Sequence, residues 1–262
     1  MPAIVSIHSF RGGTGKSTIT ASTAVLTARR GYRVAVVDTD IQSPGIHVLF
    51  GLSDALDQGG TTLNDYLWDR ASIIDAAHQV PVSGGGALYV VPGSIKTVEI
   101  AKVLKEGYDV GRLNDGFREL MSGLDLDVLF IDTHPGLNEE TLLSIAISDL
   151  LFLVLRPDQQ DYQGTGVTVE VARRLSVPDL QLVLNKVPES FDPAQVRATV
   201  EAAYGCPAAA VLPQSEAVMQ LSSRDVYVQA HPDDALSREM GRLADLVTDL
   251  VKSEGGSNDA LL

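Results

Sequence analysis

The sequence predicts an α/β fold with a doubly wound, mostly parallel central sheet and helices on both faces. Two observations carry this. Short runs of β-branched and aliphatic residues alternate with helically spaced segments from one end of the 262-residue chain to the other, the pattern of strands joined by helical crossovers. The runs are almost wholly apolar, as strands covered on both faces must be.

In chain order, the strand-like runs are residues 3–7, 34–37, 88–91, 128–131, 151–155, 180–184 and 208–212. Each is short, β-branched or aliphatic, and bounded by polar or turn-forming residues. Between them, helical spacing marks residues 16–30, 98–106, 110–121, 137–147, 163–175, 193–204 and 234–251. Asp192-Pro193 supplies a cap and a first-turn proline. Neither residues 58–61 nor the Ser83-Gly84-Gly85-Gly86 turn is long enough to link two domains. Residues 1–252 are therefore expected to form a single domain, and residues 253–262 a flexible C-terminal tail. In such a fold, ligands bind beyond the carboxyl ends of the strands.

Composition narrows the class. Acidic residues outnumber basic ones 34 to 20, giving a net charge of −14, which repels phosphate backbones and anionic lipids at long range. Cys206 is the single cysteine, so an intrachain disulfide is excluded and a reducing compartment fits. No apolar run approaches the ~20 residues needed to span a bilayer, and the first residues lack a signal-peptide pattern. A cytoplasmic protein is expected.

The chemistry begins after the first strand, at Phe10-Arg11-Gly12-Gly13-Thr14-Gly15-Lys16-Ser17-Thr18. A glycine-rich loop between a strand and a helix lets backbone amides cradle phosphate at the helix N-terminus. Phe10 stands where the strict G-x-x-x-x-G-K-[ST] pattern requires glycine. The variant pattern K-G-G-x-G-K-[ST] matches instead, with Arg11 in the place of its first lysine. The chain thereby resembles the MinD/ParA family of deviant Walker A P-loop ATPases, of the SIMIBI class. The motifs follow the family's order from about residue 3 to about 250.

That resemblance implies a P-loop NTPase fold that binds ATP or ADP with Mg²⁺. It implies that Gly12, Gly13, Thr14, Gly15, Lys16, Ser17 and Thr18 hold the phosphates, with Lys16 on the β- and γ-phosphates and Ser17 on the metal. Arg11 would cross a two-fold interface to the partner subunit's nucleotide in an ATP-dependent homodimer. Arginine keeps the charge and adds a planar fork, but it is longer than lysine; a role within its own subunit stays open. Asp38-Thr39-Asp40 resembles the first switch, with Asp40 positioning the attacking water and Asp38 supporting metal and loop. Residues 128–132, ending in Asp132, resemble Walker B and lead into Thr133-His134-Pro135-Gly136. Asp132 would bind Mg²⁺, and Gly136 would let that second switch move. His134 is a weaker candidate base, having no partner visible in the sequence.

At the end of the sixth run, Asn185-Lys186 is followed by Pro188 where a guanine reader needs aspartate, which points to adenine. The resemblance assigns Asn185 and Pro213, the latter in Val211-Leu212-Pro213-Gln214-Ser215-Glu216, to the base. Arg156 ends another strand and has two equal readings, phosphate or a nearby carboxylate.

Family members position different things. The resemblance is closer to MinD-like members, with roles in cell division or partitioning, and implies slow hydrolysis stimulated by a protein activator or cargo adaptor. An iron-sulfur carrier needs at least two cysteines per subunit, and the only one here is Cys206. A related tyrosine kinase would carry a tyrosine-rich tail, which residues 253–262 lack. Leu236, Met240, Leu243, Val247 and Leu250 make one apolar stripe, but the rest of that helix is acidic enough to disfavour direct membrane binding. Non-specific DNA binding through Arg173, Arg174, Arg197 and Arg224 is disfavoured by net charge. Transient recruitment to a membrane or nucleoid surface stays open. The alternative class is a metabolic ATP-dependent enzyme such as a dethiobiotin-synthetase-like ligase.

Overall fold

The structure, a computed structural model, describes residues 2–259. The chain opens with β1 (Ala3–His8) and α1 (Lys16–Arg29), then β2 (Arg33–Asp38), followed by three short helices, α2 (Ile46–Leu49), α3 (Ser53–Asp57) and α4 (Leu63–Leu67). β3 (His78–Val80) and β4 (Ala87–Val91) precede α5 (Thr97–Glu106) and α6 (Val110–Gly123). Next come β5 (Val128–Asp132), α7 (Glu139–Ala146), β6 (Leu150–Leu155) and α8 (Gln159–Arg174). β7 (Asp179–Val187), α9 (Pro193–Tyr204) and β8 (Ala208–Pro213) complete the sheet. The chain ends with α10 (Glu216–Leu221), α11 (Tyr227–Ala230) and α12 (Ala235–Asp259).

The strands form one eight-stranded sheet in the order β3-β4-β2-β5-β1-β6-β7-β8. All neighbours are parallel except β3, which pairs antiparallel at one edge. The doubly wound expectation is met, and strict alternation explains how. In β2, Val34 and Val36 enter one core while Ala35 and Val37 enter the other; in β5, Val128 and Phe130 separate from Leu129 and Ile131 in the same way. With the side-chain period of two, an apolar run feeds both layers.

One layer is α1 flanked by α11 and α12. Helix α1 has no single apolar face, because it lies between the sheet and α12 and buries Ile19, Ser22, Thr23 and Val25 alike. The stripe Leu236, Met240, Leu243 and Val247 on α12 is buried in this core, with Leu250 packed against it, so it covers α1 instead of facing outward. Among the described residues, no helix is long and apolar enough to cross a membrane.

The structure differs from the sequence reading at several boundaries. β3 is three residues long and mostly polar, so it carries no apolar run to read. Helices α2, α3 and α4 are four or five residues each, too short for a periodic pattern. Helix α8 starts at Gln159, one turn before the expected residue 163, capped by Asp158, whose carboxylate accepts from the amides of Gln160 and Asp161. Helix α12 continues through Asp259, past the expected start of a flexible tail; residues 260–262 of that expectation lie outside the described residues.

Candidate functional site

β1, β2 and β5 are adjacent and end together, and their carboxyl ends bring to one place the glycine-rich loop and the two segments expected to be switches. The loop turns at Gly13 (φ 75°) and Gly15 (φ 97°, ψ 20°), and Gly15 caps α1 in the left-handed region, where glycine carries no Cβ penalty. Phe10, at the position the strict pattern gives to glycine, packs against Gly164 of α8, where a Cβ would overlap its ring. The second switch lies alongside: Gly136 donates its amide to the carbonyl of Ser9 at 3.2 Å, and Gly12 faces Pro135.

Beneath the loop the charges are buried. Lys16 is 7% exposed, Asp132 2% and Asp38 fully buried. Asp38 and Asp132 are register partners on β2 and β5. Asp38 accepts from the backbone amides of Asp40 at 3.1 Å, Gly45 at 3.0 Å and Ile46 at 3.2 Å, so it ties down the first switch. Burial and the nearby Asp132 push its carboxyl up to about 8. Burial likewise raises Asp132, against the opposing pull of Lys16 and of hydrogen bonds from Ser17 and Thr20. Thr20 donates to Asp132 Oδ1 at 3.0 Å. Asp40 is raised by burial and held back by His134 and Lys16.

This donor set fits a magnesium ion. Burial raises two carboxylates that are register partners on adjacent strands, and the Ser17 hydroxyl lies beside Asp132. These are hard oxygen donors. Among the described residues, no group of three or more His, Cys, Asp or Glu side chains would cage a metal unaided, which suits an ion that keeps waters and phosphate oxygens in its shell.

The structure gives His134 the partner that was not visible in the sequence. Its Nε2 lies 3.8 Å from Asp40 Oδ1, and its Nδ1 lies 2.6 Å from the carbonyl of Pro135, so the two switches touch through this pair. His8, which sequence reasoning missed, is fully buried at the end of β1. Thr133 donates its hydroxyl to Ile7 O at 3.0 Å, so His8 Nδ1 donates to Thr133 Oγ1 across 2.7 Å, and Nε2 is left as a buried acceptor without a partner. Burial, then the charge of Lys16, lowers His8 to about 3. A histidine within an apolar run gives no sign of this.

On the far side, Gly15, Thr18, Asn185 and Pro213 line a pocket of about 240 Å³ together with Met219 of α10 and Met240 of α12. The structure thus brings together the residues expected to hold phosphate and base; the two methionines were not foreseen, since nothing in a helical stripe distinguishes a pocket wall from core. A larger groove of about 590 Å³ between α9 and α12 touches none of the phosphate-loop residues. Arg156 resolves to the carboxylate reading, its Nε bonding Asp161 Oδ2 at 2.9 Å. Arg11 lies apart from the buried charges, its guanidinium hydrogen-bonded to Gln160 on α8.

Residues 5–228 match the CobQ/CobB/MinD/ParA nucleotide binding domain. The chain belongs to that family. Within it, the chain is 26% identical over 253 residues to an uncharacterised ATP-binding protein of Methanocaldococcus jannaschii, covering 93% of this chain and 87% of that one. It is 24% identical over 264 residues to an iron-sulfur cluster carrier protein of Aquifex aeolicus, covering 96% and 68%. Its fold matches that of the septum site-determining protein MinD of Pyrococcus horikoshii OT3, solved with Mg-ADP, at a TM-score of 0.79 and 23% identity over 95% of this chain and 97% of the other. The single cysteine, Cys206, is buried in the core cluster that holds Ala208 and Val211, and burial raises its thiol.

Proposed function

We propose that this chain, through a single domain of residues 1–252, is a cytoplasmic MinD/ParA-type ATPase that binds Mg·ATP and pairs face to face with a second copy through the bound nucleotide. It then acts as a switch in positioning or partitioning a partner. Residues 12–18 hold the phosphates, Lys16 neutralises them, and Ser17 and Asp132, with Asp38 behind them, hold the ion. Bound Mg²⁺ supplies positive charge against the β- and γ-phosphate oxygens. Asp40 orients the attacking water from the first switch, and its contact with His134 ties that orientation to the second. Asn185 and Pro213 border the adenine pocket. A site whose final cation comes with the second copy turns over slowly in the single chain, and the family resemblance adds a protein activator.

The observation that carries the reading is Arg11. It follows the family pattern in charge, and its guanidinium is hydrogen-bonded to Gln160 on α8. An arginine presented outward from the rim of a phosphate site is suited to a phosphate that arrives with another subunit. The test is the mass in solution of wild type and Arg11→Ala with Mg·ATP and with Mg·ADP. A dimer that forms with ATP alone and is lost in Arg11→Ala is the expected result. A mass indifferent to nucleotide in both proteins would rule the sandwich out and return attention to a ligase with a small acceptor.

A further inference from the structure

The turn at residues 185–186 of β7 makes contacts that reading a base does not require. Asn185 donates from Nδ2 to the carbonyl of Thr14 at 2.7 Å, while its Oδ1 accepts from the amide of Lys186 at 2.9 Å. Lys186 has φ 56°, a left-handed conformation uncommon for a residue with a side chain and found where a structure demands it. From there its Nζ reaches back to the carbonyl of Gly13 at 2.8 Å. The approach is close enough that a Cβ on Gly15 would overlap the Asn185 amide nitrogen. Gly15 is thus required by the neighbouring turn as well as by its own φ.

We infer that Asn185 and Lys186 form a brace that presets the phosphate cradle, so that beside Asn185's place at the base pocket the pair contributes to phosphate affinity. The reason lies in the peptide unit. The carbonyl of residue 13 and the N–H of residue 14 belong to one planar trans group and point in opposite directions, as do the carbonyl of 14 and the N–H of 15. Drawing both carbonyls toward β7 therefore turns the amides of Thr14 and Gly15 the other way, into the concavity of the loop. A run of glycines otherwise loses more freedom on ordering than any other sequence. Donors held in place beforehand avoid that loss at the moment of binding. Both residues are positioning residues, acting through the loop backbone.

The inference rests on the proposed function only in requiring that the loop bind phosphate. The test compares the affinities of Mg·ATP and of inorganic tripolyphosphate, which has no base, for wild type, Asn185→Ala, Lys186→Met and Lys186→Arg. Lys186 is exposed, so its replacement leaves the core intact. Lys186→Met should weaken both ligands by the same factor, about tenfold for one lost charge-assisted bond, and Asn185→Ala should weaken tripolyphosphate about tenfold and ATP by at least as much. Lys186→Arg should recover part of the loss. Loss confined to ATP would make the pair base readers and overturn the brace, as would unchanged affinities in both variants; either result leaves nucleotide binding standing. A wild type that binds ATP but not tripolyphosphate would overturn the brace as well. Binding of neither ligand by wild type would remove the proposed function and the brace together.

Discussion

At the phosphate end of the site, Lys16, Asp38, Asp132 and His8 are all buried, and Asp38 and Asp132 face each other across adjacent strands. At the base end, Pro213, Gln214 and Met219 are exposed and the pocket is walled by four separate segments of chain. Burying a charge without a matched partner is costly, so the phosphate end tolerates few alternatives in residue type or spacing. The base end needs an apolar slot of the right width, and many side chains make one. One end selects by charge and fixed donors, the other by shape.

The largest effect that would break this contrast is at Lys16. Removing one partner from a buried set of charges costs about 3–5 kcal/mol, so Lys16→Met should weaken ATP by more than ~100-fold, as read by titration calorimetry. Binding within tenfold of wild type would mean that the buried ammonium is not what holds the phosphates.

The second effect is on stability against pH, without ligand. Between about pH 4 and about pH 8 the folded chain keeps a proton on Asp38 that the unfolded chain has released. This group's contribution to stability therefore falls as pH rises through that range. His8 acts in the opposite sense: between about pH 3 and its ordinary value of 6.5 the unfolded chain binds a proton the folded chain refuses, so its contribution rises with pH. From pH 6.5 to about 8 the Asp38 slope stands clear of His8. Denaturation midpoints should fall across that window in wild type and flatten in Asp38→Asn. A flat wild-type profile would show that the carboxyl is already ionised.

The same contrast decides what could be read in advance. The phosphate loop, Asp38-Thr39-Asp40 and Asp132 were legible through the resemblance of their motifs, and the structure brings them together at the strand ends, with Lys16, Asp38 and Asp132 buried. The parallel strands were legible because coverage on both faces forces near-continuous apolar runs. The 3.8 Å approach of His134 to Asp40, the bond from His8 to Thr133, and the reach of Lys186 to Gly13 were not. Each joins residues far apart in sequence through one ordinary side chain, and no local period or spacing records it. Asn185 was legible as a site residue, but its bond to Thr14 required the geometry. Met219 and Met240 were invisible for the reason the base end is permissive: methionine in a helix reads as core.

The smallest effect sharpens the comparison from the base side. Met219 is 60% exposed, so trimming it removes a partial contact of roughly 0.5–1 kcal/mol. Met219→Ala should weaken ATP about threefold and leave inorganic tripolyphosphate unchanged, unlike the equal loss for both ligands expected for Lys186→Met. Equal loss for both ligands would show that α10 supports the loop and not the base.

The central claim, that these buried carboxylates and the first switch serve hydrolysis, is tested most directly by single-turnover cleavage of Mg·ATP in wild type and Asp40→Ala. The account predicts slow cleavage by wild type and a rate lower by roughly 100-fold or more in Asp40→Ala, with ATP still bound. An Asp40→Ala protein that binds and cleaves ATP at the wild-type rate would contradict it.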